Sequence, residues 1–594
     1  METKELKTRG QIPAEYKWKL EDIYPSDAAW EEEFQRASAE IPGLGELKES
    51  IASSAHALAE GLDRIHKVSH KIERLYVYAR MRRDEDNANP VYQALADRAN
   101  GLSVRFSSQV SFLNPLLTSL PEETLLAYLQ EDAGLKDYEF MIRDLIRSKQ
   151  HVLDEGQEKL LSMSADFSGG AQTIFTMLNN ADLKFAPVEH EGKRIPLSHG
   201  AYIALMQEPD RALREKVFRA YYRSFEEHIN TIAAAYATNV KKDVFYSKAR
   251  GYGDSRERAL FGDNVPGAVY DGLIQKVHEN LPTMHRFVQL RAKMLGIEDL
   301  QMYDIYAPLV DDAKAEYSYE QAVELVLKGL EPLGEDYQSV LREAFSTGWV
   351  DVCETKGKTS GAYSWGVYGV HPYVLLNHRG DLDSVFTIAH EMGHAMHTYY
   401  SDGAQPYPLA GYTIFVAEVA STVNEILLTK YLLRTVEDKK LRKYILNHYL
   451  DQFRTTVLRQ TMFAEFEHKA HQMAERDEPL TPESLSEMYL ALNRQYHGPA
   501  MGDDATIRYE WARIPHFYNA FYVYKYATGF SCASAIVENL KKPGMLEKYK
   551  NFLKSGGSDY PMNLLEKAGV TVEQAVDTCM KEFARVLDEF EQMD

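Results

Sequence analysis

One short segment of the chain has residue types and spacing that could bind a metal ion, His390-Glu391-Met392-Gly393-His394. Two histidines four positions apart lie on the same face of an α-helix, about one turn from each other. Both imidazoles can then reach one metal ion, and Glu391 can take a proton from a water molecule bound to it. This HExxH spacing is typical of zinc-dependent peptide hydrolysis. The segment therefore predicts a metal centre and a general base on one helix.

The residues around the motif favour a helix that packs closely on a neighbour. An apolar run, Val385–Ala389, leads into the motif, and Asp383 and Ser384 ahead of that run are predicted to supply the N-cap. Gly393 is unexpected inside a helix, where glycine costs about 0.5–1 kcal/mol relative to alanine. We therefore expect a neighbouring helix or the substrate to approach the backbone at Gly393.

Catalytic zinc has three protein ligands and one open position, so a third ligand is required. No histidine follows at the longer HExxHxxGxxH spacing. Glu418 is the best candidate, because it lies in the apolar segment 414–422, where an unpaired carboxylate would be costly. Glu425 lies two helical turns further on the same face and is predicted to orient a ligating histidine. His397 also lies on the face of His390, and we interpret it as a supporting or helix-packing residue.

The pattern of these segments resembles the M3 family of zinc peptidases and, within it, the oligoendopeptidase F branch. The two central matches are HEMGHAMH at 390–397 and FVAEVASTVNE at 415–425. Similar segments follow the same order along nearly the whole chain: WKLEDIY at 18–24, GKTSGAYSWGVYGVHPYVLLN at 357–377, IPHFYNAFYVYKYATGFS at 514–531 and GGSDYPMNLLEKAGV at 556–570.

This resemblance implies a mainly α-helical zincin fold with a small β-sheet beside the HExxH helix. It also implies helical domains that enclose a deep substrate channel and restrict access to short, unfolded peptides. We expect an N-terminal helical domain over residues 1–195 and a catalytic domain over residues 196–594. The expected activity is zinc-dependent cleavage of internal peptide bonds, with one Zn2+ per chain held by His390, His394 and Glu418.

Two further segments are predicted to contact the substrate. Residues 361–368 and 373–377 are aromatic and β-branched, which predicts two strands before the metal helix. The resemblance implies that Gly361, Ala362 and Tyr363 pair with extended substrate through the backbone, and a purely structural hairpin is the alternative.

The resemblance also implies that a histidine and tyrosines from the segment 514–531 stabilise the oxyanion formed during hydrolysis. Neutral hydroxyl and imidazole groups can donate hydrogen bonds to such an oxyanion. His516 matches the family pattern directly. The tyrosine spacing differs from that of other M3 branches, so we select Tyr522 and Tyr526, which would lie on one helix face.

Composition limits the other functional classes. The formal net charge is −21 over 594 residues, which argues against nucleic acid as a partner because phosphates attract basic surfaces. No segment has the length and apolar character of a membrane span, and Met1–Lys7 lacks the apolar region of a signal peptide. The three cysteines show no CxxC spacing. We therefore expect a cytoplasmic protein with reduced thiols and no membrane partner.

Helical periodicity dominates the remaining sequence. Apolar residues recur at three- and four-residue spacing over 28–39, 51–83, 89–113, 122–129 and 320–330. Residues 183–197 read instead as a short β-hairpin around His190-Glu191-Gly192. Two alternatives to the endopeptidase remain at this point: a zinc carboxypeptidase of related helical fold, and a non-catalytic helical peptide-binding or scaffold protein. The oligomeric state is left open.

Overall fold

The computed structural model describes residues 6–310 and 315–593. The first residues of the segment Met1–Lys7 therefore lie outside the described part of the chain. The chain divides into two compact units, each assembled from three segments. In the described residues, the first unit comprises 6–152, 315–431 and 536–569, and the second comprises 153–310, 432–535 and 570–593. The division into domains at residue 195 stays a prediction.

The fold is mainly α-helical, as predicted. In chain order the α-helices are α1 (Asp27–Glu40), α2 (Pro42–Gly45), α3 (Ala55–Glu85), α4 (Pro90–Val110), α5 (Leu113–Ser119), α6 (Glu122–Glu131), α7 (Glu139–Ser148), α8 (Glu155–Ser168), α9 (Gly170–Met177), α10 (His199–Leu205), α11 (Arg211–Glu227), α12 (Ile229–Ala249), α13 (Ser255–Phe261), α14 (Gly267–Glu279), α15 (Leu281–Leu295), α16 (Tyr319–Gly329), α17 (Glu335–Ser346), α18 (Leu382–Ala404), α19 (Tyr407–Ala410), α20 (Ile414–Thr435), α21 (Lys439–Gln452), α22 (Arg459–Glu475), α23 (Pro482–His497), α24 (Tyr524–Asn539), α25 (Met545–Leu553), α26 (Pro561–Lys567) and α27 (Val572–Glu591).

The helices predicted from periodicity are confirmed as α1, α3, α4, α6 and α16. Their beginnings follow local capping chemistry. The Ser54 hydroxyl accepts the Ala57 N–H and starts α3 four residues later than the apolar pattern indicates. The Asn89 side chain caps α4, whose first residue, Pro90, has no N–H to satisfy. Apolar spacing thus locates a helix, whereas the capping residue sets where it begins.

Two small sheets interrupt the helices in the described residues. Strands β1 (Val188–His190) and β2 (Lys193–Ile195) form the predicted antiparallel hairpin. Strands β3 (Val350–Asp351), β4 (Tyr363–Trp365) and β5 (Tyr373–Leu375) form a sheet in the order β3-β5-β4. β5 pairs parallel with β3 and antiparallel with β4, with Ser364 opposite Val374. β4 is therefore an edge strand of this sheet.

The hydrophobic core of the first unit holds this sheet in place. Tyr373 and Leu375 of β5 are fully buried in one cluster with apolar residues of α1, α3 and α4. Charged groups secure β3, because the fully buried Lys358 amine pairs with Asp351 at 2.7 Å. A second contact comes from Arg9, whose guanidinium lies 2.6 Å from the other oxygen of Asp351. Helices from the N-terminal part of the chain thus support the sheet that precedes α18.

Membrane-spanning helices are not found in the part of the chain that the structure describes. None of those helices combines the length and apolar character required to cross a bilayer.

Candidate active site

Helix α18 carries the HExxH motif and begins one turn before the apolar run. Its N-cap is Asp381, whose carboxylate accepts the Ser384 N–H at 2.8 Å and the Ser384 hydroxyl at 2.6 Å. The predicted cap at Asp383 and Ser384 is therefore wrong by two to three residues. The reason is that Asp381 has extended backbone angles and a side chain within reach of the third helical N–H, so both predicted residues fall inside the first turn.

Helices α18 and α20 pack closely at the motif, which explains the glycine between the two histidines. A Cβ atom on Gly393 would lie 2.5 Å from Ser421 Cα and 2.8 Å from the Ala420 carbonyl oxygen. The Asn424 amide also donates to the Ala389 carbonyl at 3.1 Å, one residue before His390. This close backbone contact confirms the expected neighbouring helix and holds the two ligand-bearing helices in one register.

Replacing Gly393 by Ala is therefore expected to lower the free energy of unfolding by about 1–3 kcal/mol, because the added methyl group meets backbone atoms that cannot yield. Zinc affinity should fall with it, since α18 and α20 must move apart. Gly403→Ala on the same helix is the matched control, because a Cβ there meets no described atom within 4 Å. Urea unfolding and zinc titration measure both effects; equal stability of the two variants would contradict this account.

The three predicted ligands come together in the first unit. His390 Nε2 and His394 Nε2 lie 3.2 Å apart, and the Glu418 Oε2 atom lies 3.6 and 3.7 Å from them. Donor atoms that share one tetrahedral zinc ion at its usual bond lengths are about 3.3 Å apart. Two imidazole nitrogens and a carboxylate oxygen are also the donor set of many catalytic zinc sites. The residues present therefore fit a zinc ion.

The same three side chains remain partly open to solvent. The exposed fraction is 30% for His390, 18% for His394 and 31% for Glu418. A structural zinc site is closed, whereas a catalytic one keeps a position for water or substrate. The partial exposure of all three side chains fits the catalytic type of site.

The two predicted supporting residues differ in what they contact. Glu425 Oε1 lies 2.6 Å from His390 Nδ1, which leaves Nε2 of the same ring directed at the other two donors. His397 instead stacks on Tyr412, with ring centroids 3.7 Å apart, and is 1% exposed. Burial lowers the pKa of His397 to about 3, so this ring is neutral. Glu425 is thus placed to orient His390, whereas His397 packs in the interior against Tyr412.

Glu391 is buried beside these donors, with 8% of its surface exposed. Burial raises its pKa to about 7, and the neighbouring carboxylates act in the same direction while His390 and a hydrogen bond from the Ser364 backbone oppose it. Ser364 belongs to β4, so the edge strand contacts the carboxylate of the motif. A carboxylate with a pKa near neutrality is well suited to accept and return a proton.

The predicted substrate segment lies along and just before β4. The Tyr363 hydroxyl donates to Asp84 at 2.9 Å, and the Gly361 carbonyl accepts from the Asn377 amide at 2.8 Å. Gly361 has φ +83°, a left-handed conformation that other residues rarely adopt. The Tyr363 side chain therefore secures the strand, and the predicted pairing with a peptide would use backbone groups of this segment.

The residues predicted for the oxyanion form one cluster in the second unit. Tyr526 Oη lies 3.3 Å from His516 Nε2, and the Tyr522 ring lies 6.1 Å from the His516 ring and 5.4 Å from the Tyr526 ring. The assumption that both tyrosines share one helix face is wrong, because α24 begins at Tyr524. Tyr522 precedes the helix, and the loop brings its ring against Tyr526.

Two residues that contact helix α18 are not predicted from the sequence. Asn424 lies within a matched segment and is completely buried among apolar residues, a position where an amide needs a specific partner. The signal available in the sequence was an amide inside the largely apolar stretch 414–428. Tyr412 gave no signal, since it precedes α20 in a loop, yet its hydroxyl contacts Thr398 at 2.8 Å and its ring covers His397.

A second group with metal-binding residue types occurs in the described residues, at the β1–β2 turn. It consists of His190, Glu191 and Asp210, of which the last two are exposed. The Asp210 carboxylate already caps α11 and lies 2.7 Å from His190 Nε2. These contacts account for the proximity of His190 and Asp210 without a metal ion.

Comparison with known proteins agrees with this geometry. The family model described as Peptidase family M3 matches residues 204–583, and the model described as Oligopeptidase F matches residues 117–185. Oligopeptidase PepF of Bacillus subtilis is 44% identical over 594 residues, which cover 99% of this chain and 89% of that protein.

Solved structures show the same relationship. The crystal structure of oligoendopeptidase-F from Enterococcus faecium has a TM-score of 0.74 and 36% identity, with 96% of this chain and 99% of that chain covered. A crystal structure of a protein from Chlamydophila abortus has a TM-score of 0.93 and 34% identity, covering 99% and 100%. The protein therefore belongs to peptidase family M3, within its oligoendopeptidase F group.

Proposed function

We propose that this protein is a zinc-dependent endopeptidase that cleaves internal bonds of short, unfolded oligopeptides. The single observation that carries the proposal is the group of three donor atoms 3.2 to 3.7 Å apart, from His390, His394 and Glu418. Glu391, the candidate base, directly follows His390 in the sequence. Membership of a metallopeptidase family supports the reaction class. One Zn2+ per chain would be held by His390, His394 and Glu418, since this donor set suits zinc.

The proton transfers are assigned to Glu391. A bound zinc ion supplies Lewis-acid polarisation of the substrate carbonyl and lowers the pKa of water. Glu391 takes a proton from the attacking water on a carboxylate oxygen and then gives it to the leaving amine nitrogen. Its burial beside β4 keeps bulk water away from that proton. Glu425 holds His390 in the orientation that presents Nε2.

We assign the oxyanion to the cluster of His516, Tyr522 and Tyr526. Their mutual contacts support a shared role, because hydroxyl and imidazole groups gathered in one place can donate to the same oxygen. Burial and the nearby Arg459 both lower the pKa of His516, so the ring is neutral and retains one N–H to donate. Backbone groups of Gly361, Ala362 and Tyr363 are proposed to pair with the peptide, which the edge position of β4 supports.

The cellular setting is part of the proposal. Cys353, Cys532 and Cys579 are all free thiols, and burial raises the pKa of the last two to about 12. Unpaired, inert thiols are usual in a reducing compartment, which supports the cytoplasm. Short peptides are the proposed partners, and the acidic net charge disfavours nucleic acid. Access through an enclosing channel stays a prediction.

The deciding experiment incubates the purified protein with a library of internally quenched peptides of graded length, with and without a zinc chelator. Mass spectrometry of the products is expected to show internal cuts in short peptides that disappear with chelator and return with added zinc. A folded protein substrate serves as the control and should stay intact. Stepwise loss of carboxyl-terminal residues would contradict the endopeptidase assignment, as would cleavage that is insensitive to the chelator.

Replacing Glu425 by Ala is expected to weaken zinc binding by about 10- to 100-fold, because His390 loses the partner that fixes its ring. Glu425→Gln should cost less, since its amide oxygen can still accept the His390 Nδ1–H. Competition with a fluorescent zinc indicator measures both affinities. Wild-type affinity in the Ala variant would show that His390 needs no such partner.

Removing the hydroxyl from either tyrosine of the cluster tests the oxyanion assignment. Tyr522→Phe and Tyr526→Phe are each expected to lower kcat by about 10²- to 10³-fold if that hydroxyl donates to the oxyanion. Tyr518→Phe is the matched control in the same loop, because its ring stacks on Phe175 in the interior of the unit. Steady-state kinetics on one quenched peptide gives all three values; an unchanged kcat in one tyrosine variant would remove that residue from the role.

A further inference from the structure

Phe521 has an unusual backbone conformation in the loop that carries the oxyanion cluster. Its φ is +58°, in the left-handed region, and only 2% of its surface is exposed. The other non-glycine residues with positive φ in the described residues are polar: Glu191, Asn264 and Asp477. A bulky aromatic residue in this region is a real outlier and persists only when its surroundings enforce it.

Helix α22 supplies the contacts that enforce this conformation. The Phe521 N–H donates to Oε1 of Glu467, and the Phe521 ring lies 4.6 Å from the ring of His471, one helical turn further along. Glu467 is completely buried. Burial raises the pKa of Glu467 well above its usual range, and Asp243 adds to this, while the Phe521 N–H opposes it. The buried carboxyl group therefore offers Phe521 a fixed acceptor.

A second contact holds the other side of the same loop. The amide of Asn239 on α12 lies 3.5 Å from the Phe517 carbonyl oxygen, and the Phe517 ring packs 5.1 Å from Phe466 of α22. Phe517 directly follows His516, and Phe521 directly precedes Tyr522. Two of the three residues proposed to face the oxyanion, His516 and Tyr522, are thus adjacent in sequence to an anchored, buried phenylalanine.

We propose that Glu467 is a positioning residue for catalysis, which holds Phe521 in its left-handed conformation and thereby sets the placement of Tyr522 against His516. The inference rests on the proposed function of His516 and Tyr522. A buried carboxyl group is costly unless it is hydrogen bonded, so an apolar residue would serve a purely structural site better. Glu467 instead accepts the Phe521 N–H, which has no acceptor within the loop among the described residues.

The test compares Glu467→Met, which removes the acceptor at similar volume, with Glu467→Gln, whose amide oxygen can still accept the Phe521 N–H. The Met variant is expected to lose about 10- to 100-fold in kcat, because small displacements of reacting groups have effects of that size. KM and the zinc content should stay at wild-type values. The Gln variant is expected to stay within about threefold of the wild-type kcat, because the N–H retains its partner.

Glu465→Met is the matched control on the same helix. Glu465 is also buried, but it contacts His278 at 2.7 Å and Tyr496 at 3.0 Å rather than the loop. Its replacement should lower thermal stability and leave kcat unchanged. An equal loss of kcat in both Met variants, or an equal loss in the Gln and Met variants at Glu467, would overturn the proposal.

A double-mutant cycle separates positioning from general damage. In a His516→Ala/Tyr522→Phe background, Glu467→Met is expected to change kcat by less than about threefold, because the groups it positions are gone. A full additional loss there would overturn the inference. If the background substitutions themselves leave kcat unchanged, the oxyanion assignment fails instead.

Hydrogen exchange provides a readout that needs no activity, and its measurements on the wild-type protein and on Glu467→Gln do not depend on a folded Met variant. In the wild-type protein the Phe521 amide should exchange more slowly than the amide of Ala520, and it should stay slow in Glu467→Gln. Faster exchange over 514–526 is expected in Glu467→Met but not in Glu465→Met. Rapid exchange of the Phe521 amide in the wild-type protein would overturn the anchoring contact, whatever the kinetics of the variants.

Discussion

Replacing Glu391 by Gln is expected to lower kcat by about 10²- to 10⁴-fold, the range that a positioned general acid–base contributes. The amide has the shape of the carboxylate but cannot accept the proton of the attacking water or return it to the leaving amine. Because Glu391 is not among the three clustered donors, zinc should remain stoichiometric. Quenched-peptide kinetics and metal analysis of the same preparation measure the two quantities.

Asp383→Asn is the control for this experiment. It removes one negative charge from the same helix at an exposed position in the first turn. Its kcat should equal that of the wild-type protein. If Glu391→Gln keeps more than about a tenth of the wild-type kcat, a loss far below the usual range for a general base, another group must move the proton.

Replacing Glu418 by Ala is expected to abolish stoichiometric zinc binding and, with it, turnover. The ion would lose one of three protein ligands, a larger change than loss of an outer partner, which alone costs about 10- to 100-fold in affinity. The remaining pair, His390 and His394, is a weaker site because two imidazoles alone do not complete the donor set. Metal analysis after dialysis should give an empty protein.

Thermal unfolding provides a second measure for Glu418→Ala. An ion that binds only the folded state raises Tm as its concentration exceeds Kd. Added zinc should therefore raise the Tm of the wild-type protein but not that of the variant. Glu437→Ala, at an exposed position just after α20, is the control and should respond as the wild type does. Retained zinc in the Glu418 variant would mean that a different residue completes the site.

The loop before α24 shows how local sequence reasoning can select residues that do lie together, but for the wrong reason. The prediction of Tyr522 and Tyr526 depends on their spacing of four residues, which assumes one continuous helix. The helix begins at Tyr524, and the two rings meet because the chain turns at Phe521. That turn depends on Glu467, more than fifty residues away in sequence, and no local pattern indicates it.

The sequence by itself predicted the three donor residues that the structure brings together and the helical character of the chain. Helical spacing directs His390 and His394 to one side, and an acid within an apolar segment identifies Glu418, because both signals act over one or two turns. The sequence also predicted that Glu425 orients a ligating histidine, but only the tertiary structure decided which histidine it contacts and which other groups surround the site. Glu425 against His390, Ser421 against Gly393 and Glu467 against Phe521 are contacts between elements distant in sequence. Such contacts depend on how helices pack, which periodicity and residue type do not specify.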